Sequence, residues 1–260
     1  MQPKWKHPVR AKLQAGESVL GVTISTPSIE VAALVATLGF DFLWVEMEHS
    51  PVTLETLRSI VLATRSLPAA VFARVPVIEL WTAKRMMDQG VSGVIFPFAS
   101  TGERARTAAA ACRYPPLGKR GSGAGLATTT WPEPDNYYDS ADENMMTMIV
   151  IEEALAVENI EEIAATPGID VLFIGTSDLS FSLGLRGRQE EPLLDEAIAK
   201  VVAAAKKHGK FLGRPAWSPE LVAQYREQGF QVFQSHTELG LIRLGAKALG
   251  LKEVPVKALY

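Results

Sequence analysis

The chain has 260 residues and a mass of 28.2 kDa, with 47% hydrophobic and 21% charged residues. That composition excludes a disordered chain, and the length suits one eight-stranded barrel, which typically takes ~250 residues. The formal charge of −3 argues against a nucleic-acid partner, and a single cysteine excludes an intrachain disulfide or a cysteine-rich zinc site.

No apolar run approaches the ~20 residues of a membrane span. The basic start, residues 1–7, is not followed by the apolar stretch of a secretory signal. The expectation is a cytoplasmic protein with no membrane partner.

In chain order, short apolar, β-branched runs fall at 20–24, 42–47, 70–75, 93–98, 146–151, 171–175, 211–216 and 231–235. Several are apolar almost throughout, the pattern of parallel strands covered on both faces. The segments between them read as helices: 28–38, stopped by Gly39; 54–65, entered through Thr53; 80–89, stopped by Gly90; and alanine-rich 101–112. The series continues with 153–165, 193–207, 219–228 (Pro219 in its first turn, Gly229 after its last) and 237–248. Strand–helix alternation repeated eight times predicts a (β/α)8 TIM barrel, with a doubly wound open sheet as runner-up. No internal repeat or composition break marks a second domain, so residues 1–260 read as one domain with its core at about 15–250.

One stretch, 113–144, breaks the rhythm. It carries glycines at 118, 121, 123 and 125, which permit close backbone approach. A loop of this length in a compact domain is usually functional or disordered, and its plain structural reading is a surface excursion.

Chemistry in such barrels collects at the C-terminal ends of the strands. Polar residues at those ends are Glu46, Glu48 and His49, then Arg74, Glu152 and Glu153, Ser177 and Asp178, Arg214, and His236. Each also has a structural reading: Glu46 and Arg74 as ion-pair members, Glu152 and Glu153 as a charged first helical turn, Asp178 as a cap, Arg214 as the partner of Glu46 or Glu48. His7, His208 and His236 carry no local motif. Taken together, two carboxylates from neighbouring strands, without cysteine or histidine beside them, suit a hard divalent ion such as Mg2+, Mn2+ or Co2+. A histidine and an arginine facing that ion supply a base and an anion stabiliser.

The run Gly39-Phe40-Asp41-Phe42-Leu43-Trp44-Val45-Glu46-Met47-Glu48-His49-Ser50-Pro51 resembles the histidine motif of the metal-dependent HpcH/HpaI-type pyruvate aldolases. Further matches follow at Ala73-Arg74-Val75-Pro76, Asp88-Gln89-Gly90, Arg113-Tyr114-Pro115-Pro116, Gly118-Lys119-Arg120-Gly121, Ile151-Glu152 and Phe173-Ile174-Gly175-Thr176-Ser177-Asp178-Leu179-Ser180. The likeness spans about residues 15–250. It implies a (β/α)8 barrel, independently of the strand count. It implies His49 as catalytic base, Asp88 as the carboxylate that orients it, and Arg74 as the stabiliser of an enolate oxygen. Glu152 and Asp178 become metal ligands, and backbone around Ser177 holds a substrate carboxylate. The implied partners are a 2-keto acid and an aldehyde, and the implied assembly is a homo-hexamer, possible exchange of the C-terminal helix included.

Three departures from the family pattern stand out. Val150 replaces a frequent glutamine, Thr176-Ser177 replaces Pro-Ala, and Arg214 replaces an apolar residue. Arg214 is therefore expected to recognise a polar or anionic substrate group. Two rival functions are an acyl-coenzyme A lyase of the citrate-lyase-like barrels and a non-catalytic metabolite-binding barrel. A Schiff-base aldolase would need a lysine at a strand end, and Lys84, Lys119, Lys206, Lys207 and Lys210 are not placed there.

Overall fold

A computed structural model describes residues 5–132 and 137–252. Eight parallel strands, β1 (Val19–Ile24), β2 (Phe42–Glu46), β3 (Ala70–Arg74), β4 (Gly93–Phe96), β5 (Met146–Ile151), β6 (Val171–Ile174), β7 (Phe211–Pro215) and β8 (Val232–Thr237), pair in sequence order. The β1–β8 ladder closes the barrel, which settles the choice against an open sheet. The helices are α1 (Pro8–Gln14), α2 (Ile29–Val35), α3 (Leu54–Thr64), α4 (Leu80–Asp88), α5 (Gly102–Ala111) and α6 (Tyr137–Asn144). They continue with α7 (Ala154–Glu158), α8 (Ile160–Ala165), α9 (Thr176–Ser182), α10 (Pro192–Lys207), α11 (Pro219–Glu227) and α12 (Glu238–Ala248).

All eight expected strands are present, with ends shifted by at most two residues. The expected 153–165 helix is broken at Asn159 into α7 and α8, and α1, α6 and α9 were not foreseen. Each of these missed helices has only seven or eight residues, too short for an apolar face to repeat.

Alternation along the strands divides the core into two clusters. Outward residues such as Val22, Leu43, Val45, Val71, Ala73 and Leu212 pack under the helices. Inward residues, including Phe42, Trp44, Phe72, Met148 and Phe173, fill the lumen. The lumen is packed by aromatic rings laid over glycines on the paired strand: Phe42 over Gly21, Phe72 over Gly93 and Phe173 over Gly213. A Cβ at any of the three glycines would fall inside the ring. Below these rings α1 stops the N-terminal end of the barrel with Val9 and Leu13, and His7 is fully buried there. Burial pushes its imidazole down to about 3. The lumen is thus packed shut at its N-terminal end, and polar side chains line its C-terminal mouth.

The last two helices pack least. No residue of α11 is buried, and α12 buries Glu238 alone, leaving Leu239, Ile242 and Leu244 exposed.

Candidate active site

The inward parity of β2 puts Phe42, Trp44 and Glu46 in one column, so a carboxylate sits directly above two aromatic rings. Glu46 is buried and organises everything around it. Its Oε1 accepts from the backbone N–H groups of Glu48 (2.7 Å) and His49 (3.0 Å). Its Oε2 accepts from Trp44 Nε1 (3.3 Å) and from Arg74 Nε (2.6 Å). Ser50 Oγ donates to the Glu46 carbonyl, which closes the turn carrying His49. Burial alone would raise this carboxyl; the Arg74 guanidinium and the two N–H groups outweigh it and hold the group below the usual carboxylate range.

Register pairs Glu46 with Arg74 on β3, whose side chain is also inward. Arg74 Nη2 lies 2.6 Å from Glu46 Oε2, and Nε lies 3.2 Å from Glu48 Oε2. The guanidinium also faces the Trp44 ring at 5.7 Å. It is fixed by two carboxylates and an aromatic face, so it points without reorganisation.

The sequence reading of Glu46 as an ion-pair member holds, with Arg74 rather than Arg214 as partner. His49 sits at the rim, 63% exposed at the side chain, with Nε2 3.6 Å from Glu48 Oε2. Asp88 is placed otherwise. It ends α4, its Oδ1 is 3.3 Å from Arg120 Nη2, and the glycine-rich segment packs against it at Gly123. No described hydrogen bond or ion pair joins Asp88 to His49.

Two and three strands on from Arg74, β5 and β6 deliver the second half of the mouth. Glu152 follows β5 with the inward parity of Met148 and Val150, and its Oε1 accepts from Phe98 N–H at 2.7 Å. Burial raises its carboxyl to about 7, opposed by the Phe98 N–H and reinforced by the like charges of Glu48 and Asp178. Asp178 lies in the first turn of α9, just after Ser177. Between the two carboxylates stands Gly175: a Cβ there would lie 3.1 Å from Glu152 Cβ and 3.0 Å from Val150 Cγ1.

A cavity of about 410 Å³ joins Arg74, Val150, Glu152, Ser177 and Asp178. Trp44, Gln189, Trp217 and Gln234, which the sequence did not single out, line it too. Trp44 was legible from strand parity, whereas Gln189 comes from a connection with no local signal. No lysine is among the described residues lining this cavity, in keeping with the argument against a Schiff base.

The donor set fits a divalent cation. Glu48, Glu152 and Asp178 bring excess negative charge, and Arg74 is the cation whose field they share. Among the described residues no three His, Cys, Asp or Glu converge into a complete cage. Two carboxylates would thus leave most positions of a hard divalent ion to water and substrate oxygens.

Arg214 requires a correction. On β7 the inward residues are Phe211, Gly213 and Pro215, so Leu212 and Arg214 face the helices. Arg214 does not line the mouth and pairs with neither Glu46 nor Glu48. Its guanidinium lies over Tyr225 at 3.6 Å and Phe230 at 5.2 Å from the ring centroids.

The family model for HpcH/HpaI aldolase/citrate lyase matches residues 21–243. This chain belongs to that family. A 2-dehydro-3,6-dideoxy-6-sulfogluconate aldolase of Pseudomonas putida is 32% identical over 91% of this chain and 93% of its own length. A hydroxypyruvate/pyruvate aldolase of Roseobacter denitrificans is 33% identical over 78% of this chain and 80% of its own. A solved HpcH/HpaI-family structure from Burkholderia cenocepacia superposes with a TM-score of 0.85 at 31% identity, covering 93% of this chain and 97% of that one. The candidate site of this HpcH/HpaI protein lies at the C-terminal mouth, where chemistry in (β/α)8 barrels collects. Among the described residues no helix is long and apolar enough to cross a membrane.

Proposed function

We propose that this protein is a class II aldolase, a lyase that makes or breaks the carbon–carbon bond between a 2-keto acid of the pyruvate or hydroxypyruvate type and an aldehyde. The observation that carries this reading is the meeting, at one lumen mouth, of a rigid guanidinium at Arg74 with a buried carboxylate at Glu152 and an exposed one at Asp178. Glu152 and Asp178 would hold a divalent ion, Mg2+, Mn2+ or Co2+, which when bound supplies Lewis-acid polarisation of the keto oxygen.

The chain's own residues do the rest. Arg74 presents a fixed positive charge where the enolate oxygen develops, and because Glu46 and Glu48 already orient it, little reorganisation is needed as charge forms. Backbone around Ser177 and Asp178 orients the substrate carboxylate. His49 takes the C3 proton; its exposed rim position leaves the ring free to face the substrate and the incoming aldehyde. Glu46 serves as a positioning residue, because it holds both the Arg74 side chain and the His49 backbone. Within one chain Asp88 is engaged by Arg120, so its role as the carboxylate that orients the base requires Asp88 of a neighbouring subunit to reach His49. In the cleavage direction the same groups accept charge as the bond breaks.

The relatives named above are aldolases, which favours this reading over an acyl-coenzyme A lyase or a binding-only barrel. We further propose a homo-oligomer, a hexamer by family resemblance, in which the exposed apolar face of α12 is covered by a neighbouring subunit. Light scattering on the purified protein tests that point.

The decisive assay needs no knowledge of the aldehyde. Pyruvate or hydroxypyruvate in D2O should lose its C3 protons, followed by NMR, only with a divalent ion present, and His49→Ala should abolish the exchange. No exchange from folded, metal-loaded protein with either keto acid would overturn the proposal.

A further inference from the structure

Six arginines are not fully exposed: Arg10, Arg58, Arg74, Arg113, Arg120 and Arg214. Four of them meet a carboxylate, Arg10 and Arg113 at Asp170 (2.7 and 3.6 Å), Arg74 at Glu46 (2.6 Å) and Arg120 at Asp88 (3.3 Å). Arg58 donates to the Gln89 and Leu126 carbonyls. Arg214 alone makes no hydrogen bond or ion pair among the described residues, and its Nε is shut off from solvent without a partner.

A desolvated cation without a counter-ion is costly. The Tyr225 and Phe230 rings offset part of that cost through their π faces, but rings satisfy no N–H donor. Burial accordingly lowers the pKa of the guanidinium from its ordinary value. The other ionisable groups facing it are Asp195 and Lys206 on α10 and Glu190 before it. Asp195 is exposed and forms no ion pair with Arg214 among the described residues, and its attraction is outweighed by the burial of the guanidinium.

Arg214 opens onto a cavity of about 1010 Å³ between α10 and α11. On its α11 side the cavity is lined by Leu221 and Tyr225, which are only partly buried against the core. The cavity is large enough for a metabolite. It shares Thr176, Gln189, Pro215 and Trp217 with the lumen mouth, so these four residues form a common wall. The strand parity that removes Arg214 from the lumen places it on the far side of that wall.

We propose that the cavity between α10 and α11 is a second binding site, separate from the lumen mouth, for a small oxyanion whose carboxylate or phosphate group pairs with Arg214. A planar guanidinium stacked on a ring is well suited to such an anion, because stacking fixes the plane in which its N–H groups point. The site is independent of the aldolase reading, since it uses none of His49, Arg74, Glu152 or Asp178.

Calorimetric titration of the full-length, Mg2+-loaded protein with succinate and with inorganic phosphate tests this, and the two probes distinguish a carboxylate from a phosphate ligand. At least one is expected to bind at one site per chain. Arg214→Gln should weaken that binding by at least about tenfold, while Asp178→Asn leaves it unchanged. Arg214→Lys, which keeps the charge and most of the stem, supplies a second folded variant that should bind more weakly than wild type and better than Arg214→Gln. Failure of both probes to bind would overturn the proposal. So would equal binding by wild type and Arg214→Gln, or loss of binding in Asp178→Asn, which would assign the anion to the lumen.

Discussion

Arg74 and Arg214 both lie near the C-terminal ends of their strands, β3 and β7, yet they face opposite sides of the barrel wall. Arg74 has inward parity and meets two carboxylates over a tryptophan ring. Arg214 has outward parity and meets only rings. One step of pleat separates a guanidinium aimed into the lumen mouth from one aimed at a helix-lined cavity. A polar residue at the end of a barrel strand is therefore a site candidate only once its parity is known.

The largest expected effect sharpens this contrast. Arg74→Ala should slow keto-acid proton exchange by about 10²–10³-fold, since it removes a preorganised charge at the developing oxyanion. The NMR exchange assay measures it, and a loss below tenfold would place the enolate elsewhere.

The same substitution carries a stability effect, because Glu46 and Glu48 lose their counter-ion in a buried setting. We expect Arg74→Ala to cost about 3–5 kcal/mol in urea unfolding, whereas Arg214→Leu should be neutral or stabilising because it removes an unpaired charge. Equal destabilisation by both would break the comparison.

Ionisation at the closed end of the barrel provides a third case. Burial of His7 depresses its folded-state pKa from 6.5 to about 3. The unfolded chain binds a proton near 6.5 and the folded chain does not. The contribution is therefore fully present above that pH and is lost as pH falls toward 3. At ~1.4 kcal/mol per pKa unit, stability should fall by several kcal/mol across the window. His7→Gln should flatten that dependence in unfolding titrations taken at several pH values.

Smaller effects come from the glycines. Gly213→Ala drives a methyl into the Phe173 ring and should cost about 1–3 kcal/mol in chemical unfolding. Gly175→Ala crowds Glu152, and calorimetry should show divalent-ion affinity falling by about 10–100-fold. Smallest of all, Arg214→Leu should leave the proton-exchange rate within about twofold of wild type, because uniform contacts outside the reacting centre do not alter it.

Much of the molecule was legible in the chain. Apolar runs at 42–47 or 146–151 mark strands because such segments must be covered on both faces. The motif around His49 and the run ending at Asp178 mark the two halves of the mouth. Arg214 was misplaced for a physical reason: its neighbours on β7 are Gly213 and Pro215, and neither offers a side-chain pattern from which parity can be read. Asp88 was associated with His49 through resemblance, while the described contacts join it to Arg120.

The sequence by itself determined the eight strand–helix units, the family and the identity of the charged residues at the strand ends. Only the tertiary structure decided which of those charges meet. Closing β1 onto β8 curls the sheet, so the C-terminal ends of β2, β3, β5 and β6 converge on one mouth, bringing Arg74 toward Glu152 and Asp178. Pleat direction then assigns each side chain to the lumen or the helix layer. Both depend on pairings between residues far apart in the chain, which local composition does not encode.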